Sequence, residues 1–395
     1  MTPETLEAAW NAELARKGPI TSIGAPLTEP TGTGAVVVKV AVSCEDGGFA
    51  LIAPVSEQGQ LAGLQLAPPS AADPIAPWEP PAYVDPQSFD EDEVMLGSGP
   101  LAVSGTISVP RRPGPVPSVV LLAGSGSLDR DETLGRNKPL KDVAWGLATR
   151  GVAVLRFDKV TYTHARELKG TERFTLNDEY VPHALDAVEL LRANPAVDRA
   201  RIFLLGHSLG ATVAPRIVAA DQSLAGMILL AGGAQPLHWV LVRQIRYLAS
   251  LRPENEAASR PVIEALTEKA RRIDTPDFSP SASADELPLG APASYWLDLR
   301  DYDPAALAAT LGKPMLILQG ERDYQVTVTD DLARWQAALG ENPEVTIRVY
   351  PELNHLFAPG TGPSTPAEYE PAQHVDAAVI ADIASWLGPT GPGLA

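Results

Sequence analysis

The sequence predicts an α/β protein, with a mostly parallel central sheet covered by helices on both faces, a helical insertion, and a small α+β unit ahead of it. Three observations predict it. Six short apolar runs alternate with helical patterns from residue 118 onward, one interval between two of these runs (about 231–313) is far too long for a simple loop, and a proline-dense stretch divides the first residues from the rest. At 395 residues the chain exceeds the about 250–300 that one core organises, so two domains are expected.

Residues 1–67 read as the small unit. Leu6, Ala9, Trp10 and Leu14 recur at helical intervals, and Gly18-Pro19 ends that helix. AVVVKVAVSCEDGGFALIAPV alternates around a Gly-Gly pair, as strands of a hairpin do, and another strand follows near GLQLAP. Residues 68–86 hold too many prolines to join a sheet and read as a stiff linker. The larger domain, 87–395, opens with a hairpin, EVMLGSGPLAVSGTISVP, turning at Gly97 and Gly99. The six runs follow: SVVLLA at 118, GVAVLRF at 151, RIFLLG at 201, GMILLA at 226, PMLILQG at 314 and VTIRVY at 345. Continuous apolar runs of this kind belong to parallel strands buried on both faces. A helix over 181–193 carries Ala184, Leu185, Val188 and Leu191 on one face, and another over 374–387 closes the fold. HWVLVRQIRYLASL and RPVIEALTEKARRI are helical, so the long interval reads as a cap inserted at about 235–297.

Hydrophobic residues are 45% and charged residues 20%, an ordinary globular composition. A net charge of −18, with no Lys/Arg cluster to override it, repels phosphate backbones and excludes nucleic acid as a partner. Cys44 is the single cysteine, so no intrachain disulfide or thiolate metal site can form, and it reads as a buried structural thiol. MTPETLEAAWNAELARKG has charges where a signal peptide needs an apolar core, and no run reaches about 18 apolar residues; no membrane association and a cytoplasmic location are expected.

The motif with chemical content is Gly206-His207-Ser208-Leu209-Gly210, directly after a strand and directly before a helix. A Gly-x-Ser-x-Gly turn in that setting strains the serine and lifts its hydroxyl to the carboxyl edge of the sheet, at a helix N-terminus that favours an oxyanion. Such a serine needs a base, and the base needs a carboxylate, in the chain order Ser, acid, His. Asp323, in GERDYQV, and His355, in YPELNHLFAPG, each follow a strand on that same edge. Glu321 stands too close to its strand, Asp330 reads as an N-cap, and His164, His183, His238 and His374 are wrongly placed; His207 reads as a packing residue. The backbone N–H groups of Leu209 and of Ser125, the latter in VVLLAGSGSLDRD, are the candidate oxyanion donors. The interleaved charges of Asp129-Arg130-Asp131-Glu132 and Arg136-Asn137-Lys138 read as an internal network that fixes this loop rather than as a metal site or anion clamp. No metal and no cofactor are expected.

LLAGSGSLDRDETLGRNKPLKDVAWGLATRGVAVLRFDK, GHSLG, ASYWLDLRDYDP and GERDYQV together resemble a family of bacterial α/β-hydrolase carboxylesterases, related to dienelactone hydrolases and to peptidase-like serine hydrolases. The resemblance covers most of 90–387. It implies the α/β-hydrolase fold, with nucleophile, acid and base on Ser208, Asp323 and His355, and hydrolysis of small, short-acyl carboxylic esters through an acyl-enzyme. Members often carry an extra N-terminal α+β domain, to which residues 1–67, with GPITSIGAP, look similar. Relatives usually have a histidine before the first glycine of the oxyanion loop and a proline after the second, where this chain has Ala123 and Ser127; backbone donors survive that change. Trp239, Tyr295 and Trp296 lie in or beside the cap and are candidate walls of an acyl pocket, or equally plain cap core. A small-molecule ester is the expected partner, with the N-terminal domain and the cap as candidate surfaces for homo-oligomerisation. A serine peptidase or amidase using the same triad, and a non-catalytic binding protein on the same fold, are the alternatives.

Overall fold

The computed structural model describes residues 3–30, 36–56, 58–67, 69–72, 77–168, 170–171 and 173–388. The chain divides into two compact units, Met1–Pro77 and Trp78–Ala395.

Among its described residues the smaller unit has one helix, α1 (Pro3–Lys17), and five strands, β1 (Ile20–Ile23), β2 (Leu27–Pro30), β3 (Val36–Cys44), β4 (Gly47–Val55) and β5 (Gln65–Ala67). They form an antiparallel sheet in the order β1-β3-β4-β5, with β2 also paired to β3. Val42, Cys44 and Phe49 make its small core, on which Trp10 and Leu14 of α1 pack, the Trp10 and Phe49 rings meeting edge to face at 5.3 Å. The expected 68–86 linker is divided. Residues 68 and 73–76 lie outside the described residues, Pro69–Ala72 form a short turn packed on β3 and β4, and the stretch from Trp78 belongs to the larger unit. There the Trp78 indole donates to Asp142 (3.0 Å) and Tyr83 Oη donates to the Val375 carbonyl (2.9 Å). Proline keeps a segment out of a sheet, but it does not stop aromatic side chains between the prolines from docking.

The larger unit begins with the hairpin β6 (Phe89–Leu96) and β7 (Val103–Pro110), then β8 (Val116–Leu122), α2 (Pro139–Thr149), β9 (Ala153–Phe157) and two single turns, α3 (Val160–Thr163) and α4 (Ala165–Leu168). It continues through α5 (Leu176–Ala193), β10 (Val197–His207), α6 (Leu209–Ala220) and β11 (Gly226–Leu230). A helical insertion follows, α7 (Leu237–Ser250), α8 (Glu256–Asp274) and α9 (Ala293–Arg300). The chain then returns through α10 (Pro304–Thr310), β12 (Met315–Gly320), α11 (Ala333–Leu339), β13 (Val345–Tyr350) and α12 (Ala377–Trp386). The eight strands order as β13-β12-β11-β10-β8-β9-β7-β6, parallel from β13 to β9 and antiparallel at β7 and β6.

Strand β8 shows why its run has no polar alternation. Val119 and Leu121 face the core shared with α2 and α12, whereas Val120 and Leu122 face the core shared with α5 and α6. Two helix limits differ from the sequence expectation for local reasons. Helix α5 starts five residues before 181 because Thr175 and Asp178 form a reciprocal cap, with N–H to side-chain distances of 3.2 and 2.9 Å. Helix α12 starts after its N-cap Asp376 rather than at 374, since the His374 ring is tied to Asp142 at 3.0 Å. Among the described residues no helix is long and apolar enough to cross a membrane.

Candidate active site

Strands β8, β10, β12 and β13 run parallel, so the loops after them open on one edge of the sheet. Each of these loops carries one of the expected groups.

Ser208 sits between β10 and α6 with φ 53° and ψ −117°. A non-glycine residue held at positive φ costs about 1–3 kcal/mol, which the surroundings must offset. The Ser208 N–H donates to the Leu230 carbonyl of β11 (2.8 Å), and the Ser208 carbonyl accepts from Thr212 N–H (3.0 Å). The flanking glycines are needed for space: a Cβ on Gly206 would lie 2.3 Å from the Gly210 carbonyl carbon, and one on Gly210 would lie 2.3 Å from the Leu122 carbonyl oxygen. Strand and helix therefore meet backbone to backbone beneath the serine.

The Ser208 Oγ lies 3.1 Å from His355 Nε2, and His355 Nδ1 lies 2.6 Å from Asp323 Oδ2. His355 is 4% exposed and Asp323 3%. Asp323 Oδ1 accepts the backbone N–H groups of Gln325 (2.7 Å) and Val326 (3.0 Å), and the buried Gln319 amide donates to Oδ2 at 3.2 Å. The carboxylate is thus fixed before it meets the imidazole. The His355 loop is held by Asn354, whose side-chain oxygen accepts from Leu356 N–H (3.0 Å) and Ala358 N–H (3.2 Å). Glu321 is exposed, and Asp330 is not a cap: Thr327 caps that turn, and Asp330 pairs with Arg243 at 3.2 Å.

The charged loop after β8 forms an internal network. Arg130 pairs with Asp158 (3.0 Å) and Glu93 (2.6 Å), and Arg156 with Asp131 and Glu91 (2.8 Å each). Glu132 Oε1 accepts the Gly124 N–H at 3.2 Å and lies 2.8 Å from His207 Nδ1. His207 Nε2 faces the His355 carbonyl at 2.9 Å. Burial alone would lower the pKa of His207, but the Glu132 carboxylate and the carbonyl outweigh it and hold the pKa above the usual histidine value. His207 is thus more than packing, tying the β8 loop to the His355 loop through two acceptors. The remaining histidines have other partners: His164 and His183 meet the carbonyls of Ala102 and Leu101, and His238 meets Asp274, each at 2.8 Å.

Ser208, Leu209, Ser125 and Gly126 border a cavity of about 380 Å³, walled by Leu237, Val240 and Leu241 of α7, by Leu299 of α9 and by Tyr302. A second cavity of about 350 Å³ shares Ser125, Gly126 and Leu209 and extends towards Phe174 and Tyr295. Of the three aromatic residues singled out in the sequence, Tyr295 borders the second of these cavities and Trp239 and Trp296 border neither. Trp239 is turned away, its indole N–H donating to Asp274 at 2.7 Å, and Trp296 is fully buried in the core beneath. Aliphatic side chains of α7 make the wall instead, and their helical spacing in LHWVLVRQI marks an apolar face without saying what it faces. Glu132 belongs to the charge network expected to fix this loop, its contact with His207 being the unforeseen part, whereas Gln319 went unnoticed because it lies inside an apolar strand run. Among the described residues no group of three or more His, Cys, Asp or Glu side chains is arranged to hold a metal ion.

A mostly parallel sheet covered on both faces, with a strained serine between strand and helix, defines the class. The chain belongs to the alpha/beta hydrolase family, whose model matches residues 119–372. Esterase EstD of Thermotoga maritima is 40% identical to it over 344 residues, 86% of this chain and 77% of that protein. Two solved structures are similar at lower identity. An esterase of Pyrococcus furiosus has 20% identity over 79% of this chain and 98% of its own, with TM-score 0.46. Dienelactone hydrolase of Anabaena variabilis has 17% identity over 76% and 97%, with TM-score 0.43.

Proposed function

We propose that this chain hydrolyses small carboxylic esters through an acyl-enzyme on Ser208. The observation that carries the reading is the line from Ser208 Oγ through the His355 ring to Asp323, with distances of 3.1 and 2.6 Å. His355 Nε2 takes the hydroxyl proton as Oγ attacks the ester carbonyl, and Asp323 holds the tautomer and stabilises the imidazolium. The carbonyl oxygen becomes an oxyanion facing the Ser125 and Leu209 N–H groups. When the tetrahedral adduct collapses, the alcohol leaves with the proton from His355. Water repeats the sequence on the acyl-enzyme, releasing the acid and restoring Ser208. Side chains, backbone and water are sufficient for every step.

Esterase EstD supports the choice of an ester, and the cavity lining supports an uncharged one, because the residues around the 380 Å³ cavity are aliphatic or neutral polar. The short-acyl preference rests on the family resemblance. The test compares p-nitrophenyl acetate, butyrate and octanoate with aminoacyl p-nitroanilides. Highest kcat/KM on the shorter esters is expected, with Ser208→Ala inactive; faster turnover of anilides would move the reading to an amidase. A wild-type Ser208 that resists a fluorophosphonate would move it to a non-catalytic binding protein.

A further inference from the structure

One buried cation stands beside the site and takes no part in the proton chain. Lys159, just after β9, is 1% exposed, and its ammonium meets the Gly124 carbonyl, the Tyr180 phenol oxygen and the Glu179 carboxylate at 2.8 Å each. Tyr180 Oη donates to the same Gly124 carbonyl at 2.8 Å and stands 3.0 Å from that of Ala123. Burial, with the Glu179 charge beside it, pushes the Tyr180 phenol well above its ordinary pKa, which keeps it a donor. Glu179 is itself fully occupied, accepting Thr161 Oγ1 at 3.1 Å and Tyr295 Oη at 2.9 Å. Burying an ammonium is costly unless every proton finds an acceptor, and here one of the three is a single backbone carbonyl of the loop beside Ser208.

A trans peptide is planar, and its C=O points opposite to the N–H of the next residue. Gripping the Gly124 carbonyl therefore fixes the direction of the Ser125 N–H. Ser125 borders the cavity with Ser208 and Leu209, and among the described residues no acceptor takes its N–H. The other side of Gly124 is equally constrained: Glu132 accepts its N–H at 3.2 Å, and a Cβ there would lie 2.7 Å from Glu132 Oε1 and 3.3 Å from Ser208 Cβ. A cation on a peptide carbonyl also polarises the peptide, which strengthens the N–H on its far side as a donor.

We propose that Lys159 and Tyr180 are positioning residues that aim and strengthen the Ser125 N–H as an oxyanion donor. This rests on the ester-hydrolysis reading and adds to it the residues that hold the hole in shape. They touch no substrate, so they act on the transition state rather than on binding.

The test uses the full chain with Tyr180→Phe, which removes one oxygen, Lys159→Met, which removes the ammonium, and Lys159→Gln, which retains a donor. Turnover of p-nitrophenyl butyrate is measured per serine titrated by fluorophosphonate, together with affinity for an alkyl trifluoromethyl ketone, whose adduct with Ser208 carries an oxyanion. Tyr180→Phe and Lys159→Met are expected to lower kcat about tenfold or more with KM within about threefold, and to weaken the ketone by the same factor as kcat/KM. Lys159→Gln is expected to recover part of the loss. Wild-type kcat and ketone affinity in Tyr180→Phe would overturn the proposal, as would a loss explained wholly by fewer titratable serines. Should Lys159→Met fail to fold, the ketone affinity of Tyr180→Phe decides alone. A wild-type chain that leaves the ester intact, or a Ser208→Ala variant that cleaves it, would overturn the underlying reading as well.

Discussion

Ser208 is held at φ 53°, where a side chain is disfavoured and glycine is not. Ser208→Gly should therefore melt above Ser208→Ala, by a difference equivalent to about 1 kcal/mol, although neither cleaves ester; thermal denaturation of the pair reads this strain directly. The neighbouring carboxylate permits an equally specific expectation. Asp323 Oδ1 is occupied by two backbone N–H groups, so Asp323→Asn keeps its oxygen there and turns its amide towards His355 Nδ1. That forces the proton onto Nε2, which can then no longer accept from Ser208, and kcat should fall by roughly 10²–10⁴ in a burst-resolved assay. His207 supplies a pH-dependent term. Its folded pKa lies above the unfolded value, so its contribution is complete below the ordinary histidine pKa of about 6.5 and is lost as pH rises through the elevated one. His207→Gln should show a shallower fall in melting temperature from neutral to alkaline pH than the wild type. The convergence of Ser208, Asp323 and His355 was legible because each lies in the loop that follows a parallel strand. Lys159 and Tyr180 were not, because what they grip is the Gly124 carbonyl, and a carbonyl leaves no letter in a sequence.

At the level of elements, the contact between β8 and α6 tolerates nothing larger than hydrogen. Gly210→Ala would bring a methyl 2.3 Å from the Leu122 carbonyl and 2.7 Å from that of Ala123, both backbone atoms that cannot rotate away. A loss of about 1–3 kcal/mol or more is expected by denaturant titration, with activity falling further because the displaced strand carries the Ser125 loop. Five of the apolar runs could be read as strands because burial on both faces leaves few polar letters in them, whereas VTIRVY, with Thr346 and Arg348, is the partly exposed edge strand β13. Strands β1 and β2 were not legible, since ITSI and LTEP are only four residues each, and their identity comes from pairing with β3. The stretch after Pro77 was misjudged for the opposite reason: proline density signalled the absence of a strand, while the docking of Trp78 and Tyr83 depends on partners near residues 142 and 375.

For the molecule as a whole, the division at Pro77 leaves the larger unit with both layers of its own core. A chain beginning at Trp78 should unfold in one cooperative transition and keep kcat on p-nitrophenyl butyrate within about threefold. Light scattering on the full and shortened chains would show whether residues 1–77 hold copies together, since the mass then falls to that of one shortened chain. The excursion through α7, α8 and α9 leaves the sheet after β11 and rejoins it by way of α10 at β12, two strands hydrogen-bonded to each other along their length. The framework closes behind the detour. Those three helices can be remodelled, and with them the shape of what is admitted, while β11 and β12 stay paired, provided that α7 keeps Arg243 and Gln244, which donate to the Gln325 carbonyl (2.9 and 3.2 Å) two residues from Asp323.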